Sequence, residues 1–159
     1  DPRQTIFSII AEPLRSLKIE GNHRQMVAEA LEAVGLDRDA ATRYPHQFSG
    51  GQRQRIAIAR AIVARPRFLL ADEAVSALDL TTRTRIVDLL ARLSAEMTLL
   101  FVSHDIGVVA ALCRRIVILE KGRVVEQGET AKILKNPQHP YTQRLLASVP
   151  RLTVNEISS

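Results

Sequence analysis

Phe68-Leu69-Leu70-Ala71-Asp72-Glu73 is a short, wholly apolar run that ends in two acids. Two more such runs follow it. Thr98-Leu99-Leu100-Phe101-Val102-Ser103 ends in His104, and Ile116-Val117-Ile118-Leu119 is the third. Between them the apolar residues take helical spacing: Ile86, Leu89, Leu90 and Leu93, then Ile106, Val109, Ala110 and Cys113. Apolar strands alternating with amphipathic helices predict an α/β fold, with a mostly parallel sheet flanked by helices. Lys121-Gly122-Arg123 predicts a turn into a last short strand, Val124-Val125-Glu126. In such sheets the chemistry gathers at the carboxyl ends of the strands. Asp72, Glu73 and His104 all stand there.

Upstream of this alternation the chain reads as helical. Val27, Ala30, Leu31 and Val34 fall at i, i+3, i+4 and i+7, and Gly35 follows as a stop. A polar loop, Asp37 to Gln47, contains the helix-breaking pair Tyr44-Pro45. A second helix fits Gly51 to Ala64 and is ended by Pro66. Downstream, Pro137 and Pro140 precede a short helix near Tyr141 to Ala147. Three parts are expected: a helical subdomain at 1–66, a part of the α/β core at 67–135, and an extension at 136–159.

A chain of 159 residues, 46% hydrophobic and 25% charged, suits one soluble domain or most of one. No apolar run approaches the roughly 18 residues that span a bilayer. The start, Asp1-Pro2-Arg3-Gln4-Thr5, lacks the basic and apolar blocks of a secretion signal. It also lacks an initiator Met, so a longer parent is expected. A single cysteine, Cys113, excludes an internal disulfide framework and reads as a core thiol on an apolar helical face. The net charge of +5 comes from basic residues spread from Arg3 to Arg151, and only 4% of residues are aromatic. Nucleic acid is therefore not the expected ligand, because stacking platforms need more rings. His23, His46 and His139 show no metal-ligand spacing.

The segment richest in chemistry is Phe48-Ser49-Gly50-Gly51-Gln52-Arg53-Gln54-Arg55. Ser49 and Gln52 have capping-box spacing, in which each side chain satisfies an amide at a helix start. The same residues suit an anion: two glycines at a helix N-terminus let a phosphate approach exposed N–H groups. Ser49 adds a hydroxyl donor, and Arg53 and Arg55 add positive charge. Asp72, at a strand end, can hold Mg²⁺ through a coordinated water, because that ion dehydrates reluctantly. Glu73, one residue on, can orient an attacking water. Equally, two acids can simply mark where a strand leaves the core.

Taken together, these motifs resemble those of the ABC ATPases, over essentially the whole chain. Phe48 to Gln52 resembles the family signature Leu-Ser-Gly-Gly-Gln, and Phe68 to Glu73 its Walker B strand. Ser76-Ala77-Leu78-Asp79 resembles the D-loop, and Phe101-Val102-Ser103-His104-Asp105 the switch-histidine segment. The resemblance implies nucleotide contacts from Ser49, Gly50, Gly51, Gln52 and Asp79, a metal-holding Asp72, and catalytic roles for Glu73 and His104. It implies ATP and Mg²⁺ as the bound groups. Two departures stand out: Phe48 replaces Leu, and Ala74-Val75 replaces Pro-Thr. Losing proline frees a backbone dihedral, so a less rigid loop after Glu73 and slower or less tightly coupled hydrolysis are expected.

No Gly-x-x-x-x-Gly-Lys-Ser/Thr occurs in the sequence, and the family's Q-loop glutamine has no counterpart. The resemblance therefore implies a C-terminal portion of a longer domain, beginning shortly after the Q-loop. Such a portion is expected to be inactive alone and to expose apolar strand edges near Phe68 to Ala71 and Leu99 to Val102.

Arg43-Tyr44-Pro45-His46-Gln47-Phe48 is similar to the dipeptide, oligopeptide and nickel importer branch. So is the tail, Asn136-Pro137-Gln138-His139-Pro140-Tyr141-Thr142 followed by Leu145-Leu146 and Val149-Pro150. Membership in that branch implies a second ABC ATPase subunit as partner, with the signature acting in trans on its nucleotide. It further implies membrane permease subunits gripped by the helical first third, an indirect substrate-binding protein, and a peripheral place at the cytoplasmic face of the cell membrane. The alternative is a non-transporter ABC ATPase acting on nucleic acid or ribosomes. Coiled-coil insertions would mark that class, and none is present.

Overall fold

The computed structural model describes residues 3–76 and 78–148. The chain divides into two compact units, Asp1–Leu100 and Phe101–Ser159.

The first unit begins with α1 (Ile6–Ile10), α2 (Glu12–Ser16) and α3 (His23–Ala33). Thr5 caps α1 and Asn22 caps α3, the latter by accepting from Arg24 and Gln25 N–H at 3.1 and 3.2 Å. Helix α3 stops at the predicted glycine. Gly35 takes φ +71°, its N–H donates to the Glu32 carbonyl, and Leu36 N–H donates to the Leu31 carbonyl, both at 2.9 Å. This is the pair of bonds of a Schellman motif. Two short 3₁₀ turns, Arg38–Thr42 and Pro45–Gln47, then lead to α4 (Gly50–Ile62). Helix α4 packs against α1, α2 and α3. Ile6, Ile10, Leu14, Val27 and Leu31 are wholly buried there. Three exposed ion pairs, including Arg60 to Glu12 at 2.7 Å and Arg65 to Glu29 at 3.0 Å, add little to this apolar core.

Strand β1 (Phe68–Asp72) and strand β2 (Thr98–Val102) pair, with Thr98 N–H donating to the Arg67 carbonyl at 2.9 Å. Between them runs α5 (Leu80–Leu93), whose Ile86, Leu89 and Leu90 are buried. The spacing foresaw this helix face. β1 is buried on one face only: Leu69 and Ala71 are covered, while Phe68 and Leu70 are 54% and 56% exposed. Leu100, on β2, is also exposed.

The second unit holds α6 (Ile106–Leu112), β3 (Arg115–Glu120), β4 (Arg123–Glu129), α7 (Thr130–Lys135) and α8 (Pro140–Ala147). Here one expectation is corrected. The third apolar run does not add a parallel strand; as β3 it pairs antiparallel with β4, Glu120 facing Arg123. The cause is local. Lys121 and Gly122 both take positive φ, +49° and +75°, the backbone of a tight two-residue hairpin turn. The ribbon accordingly alternates, with Ile116 and Ile118 buried and Val117 and Leu119 exposed. Its register shifts between Ile118 and Leu119, leaving Val125 without a partner. Among the described residues the strands thus form two two-stranded sheets within an α/β fold.

Candidate functional site

Ser49 stands at the N-terminus of α4, and the capping box read from the sequence is formed. Gln52 N–H donates to Ser49 Oγ at 3.3 Å, and Ser49 N–H donates to Gln52 Oε1 at 3.0 Å. The Ser49 hydroxyl accepts in that bond and keeps its own proton for a ligand. Gly50 and Gly51 form the first turn of α4, where N–H groups lack intrahelical partners. Among the described residues, nothing beyond its own chain neighbours and helix backbone lies within 4 Å of where a Cβ on Gly50 would sit. Gly51 differs: a Cβ there would collide with Cγ2 of Thr82 in α5. This glycine is thus required by packing within the chain, which nothing in the local sequence announces, since the two residues are 31 positions apart.

The loop that delivers Ser49 is held firmly. The Arg43 guanidinium lies over the Phe48 ring, 4.4 Å from its centroid, and donates to the Gln47 carbonyl at 2.9 Å. Arg53 Nε donates to the Phe48 carbonyl at 3.1 Å. Arg53, read from sequence as charge near an anion, therefore has a structural bond. Arg55 likewise reaches back to the Gly35 carbonyl at 3.3 Å.

Asp72 ends β1 with its side chain exposed, and Glu73 follows at φ +48°. A non-glycine residue in the left-handed region is uncommon and costs on the order of 1 kcal/mol or more. Ser76 closes the turn: its N–H and its hydroxyl both donate to the Glu73 carbonyl, at 3.2 and 3.0 Å. One Glu73 carboxylate oxygen is buried, and Val75 anchors the loop at 2% exposure. Where the family has Pro-Thr, a buried valine and two hydrogen bonds hold this turn. Among the described residues no three His, Cys, Asp or Glu side chains gather as a metal cage. One exposed carboxylate at a strand end nevertheless fits Mg²⁺, which takes one or two carboxylates and fills its shell with water and phosphate oxygens.

Asp79 caps α5, accepting from Thr82 N–H at 3.0 Å, and that bond chiefly holds its carboxyl below the ordinary aspartate range. Ala77 of the D-loop segment, Asp1-Pro2, and Val149-Pro150 of the tail lie outside the described residues. The first unit thus carries the glycine turn, both acids and Asp79. His104 belongs to the second unit, exposed after β2 and just before Asp105, which caps α6 through Gly107 and Val108 N–H at 3.0 and 3.3 Å. The tail is tied within the second unit. Glu126 accepts Gln138 N–H at 2.9 Å on one oxygen and His139 N–H at 3.1 Å on the other. The Gln138 N–H is the chief cause that holds its carboxyl below the usual glutamate range. His139 in turn caps α8, its Nδ1 accepting from Tyr141 N–H at 3.2 Å.

An N-capped glycine turn followed by a strand ending in Asp-Glu is the arrangement found in the first unit, and comparison with known proteins gives it a family context. The ABC transporter family model matches residues 1–76, and the model for the C-terminal region of oligopeptide/dipeptide transporters matches residues 125–158. Residues 1–76 therefore belong to the ABC transporter family, and residues 125–158 match the C-terminal region of its oligopeptide/dipeptide members.

Among its relatives is the glutathione import ATP-binding protein GsiA of Salmonella typhimurium, 49% identical over 154 residues, covering 94% of this chain and 25% of GsiA. The oligopeptide transport ATP-binding protein OppF of Lactococcus lactis subsp. lactis is 44% identical over 158 residues, covering 97% of this chain and 50% of OppF. A structure described as an inward-facing conformation of a metal-chelate-type ABC transporter aligns with a TM-score of 0.77 at 30% identity, over 92% of this chain and 59% of that one. The chain thus spans half or less of these curated relatives.

Proposed function

We propose that this chain is the signature-bearing, C-terminal part of the ATP-hydrolysing subunit of an importer for dipeptides or oligopeptides. The observation that carries the reading is the first unit's pairing of two features. A capped Gly50-Gly51 turn opens α4, and β1 ends in an exposed Asp72 followed by Glu73 at positive φ. The match of the tail to the oligopeptide/dipeptide region and the names of GsiA and OppF support the peptide substrate class.

In this reading ATP and Mg²⁺ supply the phosphoryl chemistry when bound. Asp72 holds the metal through a coordinated water, Glu73 orients and polarises the attacking water, and His104 contacts the terminal phosphate. Ser49, Gly50, Gly51 and Gln52 donate to the nucleotide held by a second ATPase subunit, and Asp79 lines the same junction. Residues 1–66 grip a permease, 67–135 carry the acids and His104, and 136–159 form the branch-specific extension. The subunit works peripherally at the cytoplasmic face of the membrane, drives permease subunits, and serves a substrate-binding protein indirectly. No described helix is long and apolar enough to cross a membrane.

The 159-residue chain alone is inactive in this reading, because its sequence contains no phosphate-binding loop with its lysine. The test uses a polypeptide of relative-like length, in which a phosphate-binding segment precedes this chain, joined to its permeases in proteoliposomes. ATP-driven uptake of a labelled oligopeptide supports the reading. Equal uptake after Ser49→Arg, which blocks the turn, or hydrolysis by the 159-residue chain itself, contradicts it.

A further inference from the structure

We infer that Arg43 is a positioning residue for the signature turn, acting through Phe48 and touching no nucleotide itself. This rests on the proposed function above and extends it to a residue outside the motif.

The reasoning starts from the backbone. Phe48 and Ser49 are both extended, at φ −122°, ψ 146° and φ −65°, ψ 165°. They link a 3₁₀ turn to the first residue of α4, and each extended residue has two soft dihedrals that must be fixed if Ser49 is to be held in one place. Phe48 is fixed from every side. Its N–H donates to the Pro45 carbonyl at 3.2 Å and its carbonyl accepts from Arg53 Nε at 3.1 Å. Its side chain is 5% exposed, with the Arg43 guanidinium over the ring at 4.4 Å. Arg43 also grips the preceding residue through the Gln47 carbonyl, and its own carbonyl accepts Ile6 N–H at 2.9 Å, at the first residue of α1. One residue therefore ties three places: its backbone carbonyl holds the start of α1, and its side chain holds the 3₁₀ turn and the residue before the N-cap.

The Phe-for-Leu departure now has a physical meaning. A leucine fills the same apolar space but offers no π face, whereas an aromatic ring attracts a planar cation and stacks with it. Arg43 and Phe48 form a matched pair. Lysine cannot replace the arginine fully, because a point charge has no planar surface to lay on the ring while a fork donor reaches the Gln47 carbonyl. In the proposed function the signature turn meets a nucleotide already held by the other subunit, so a small misplacement of the turn lowers turnover more than affinity. Displacing the turn should therefore show in kcat, not in the nucleotide KM.

The test is a double-mutant cycle in the relative-length protein: Arg43→Gln, Phe48→Leu and the pair together, with Arg43→Lys as the conservative variant. Steady-state kcat and KM for ATP are read with the melting temperature of each. Arg43→Gln is expected to lower kcat about fivefold, with KM within about twofold. The double variant should be no slower than the slower single, and Arg43→Lys should recover part of the loss. Should Arg43→Gln not fold, the cycle is run with Arg43→Lys and Phe48→Leu, where the same non-additivity is required. Unchanged kcat per folded molecule, or losses that multiply in the double variant, overturns the inference. Ser49→Arg separates the two failures. If it abolishes hydrolysis while Arg43→Gln does not slow it, only the positioning role falls. If Ser49→Arg hydrolyses ATP normally, the functional reading falls and the positioning role with it.

Discussion

Gly51 and Thr82 meet where the first turn of α4 passes the first turn of α5, so closely that Cγ2 of Thr82 occupies the space a Cβ on Gly51 would need. Alanine in place of glycine ordinarily favours a helix by about 0.5–1 kcal/mol. Here the collision involves a stiff β-branched side chain on a packed neighbour, and overpacking of that kind costs about 1–3 kcal/mol. Gly51→Ala should therefore destabilise, and Gly51→Ala/Thr82→Ala should recover most of the loss. Denaturant midpoints of the two variants decide it. A Gly51→Ala variant as stable as the parent would show that the approach is not tight.

The two acids at the end of β1 should fail in different ways. Glu73→Gln keeps shape and most hydrogen bonding but removes the charge that polarises water. In the relative-length protein, hydrolysis should fall about 10²–10⁴-fold while nucleotide stays trapped in a closed dimer. Asp72→Asn should instead weaken Mg²⁺-dependent nucleotide binding. Turnover, retention and dimerisation are measured on both. Parental turnover in Glu73→Gln beside a dead Asp72→Asn would reverse the division of labour.

The tail clamp should be lost in acid. The Glu126 carboxyl is held below its ordinary value of 4.5, chiefly by the Gln138 N–H group and with a smaller part from His139. A depressed folded-state pKa stabilises fully above the unfolded value, and the contribution disappears as pH falls through the folded value. The amide resonances of Gln138 and His139 should therefore titrate together, with a midpoint below 4.5, and Glu126→Gln should abolish the transition. A common midpoint at or above 4.5 would refute the clamp.

Phe68 and Leu70, half exposed on one face of β1, make the 159-residue chain prone to associate through that face. Sedimentation should show concentration-dependent self-association, reduced by Leu70→Lys. Since Leu70 is largely exposed, that substitution should change monomer stability by no more than about 0.5 kcal/mol. A monodisperse parent chain would exclude this.

By itself the sequence determined the elements and their punctuation. The i, i+3, i+4 spacing at Val27–Val34 and Ile86–Leu93 encodes helices with one buried face, and Ser49, Gln52 and Gly35 mark where helices start and stop. Capping and periodicity are local, so they are written within a few residues. The order of Ser49–Gln52, Asp72-Glu73, Asp79 and His104 was equally legible, and it carried the family. Tertiary structure alone decided what depends on contact across the chain. It set Thr82 against Gly51 and gave Arg53 and Arg55 backbone carbonyls to hold. It folded β3 back onto β4, because an apolar run looks alike whether it is covered on one face or both, and the left-handed backbone at Lys121 and Gly122 settles the direction. It also set Arg43 over Phe48: five residues apart in a loop, the two meet only because the 3₁₀ turn at Pro45 brings the chain around.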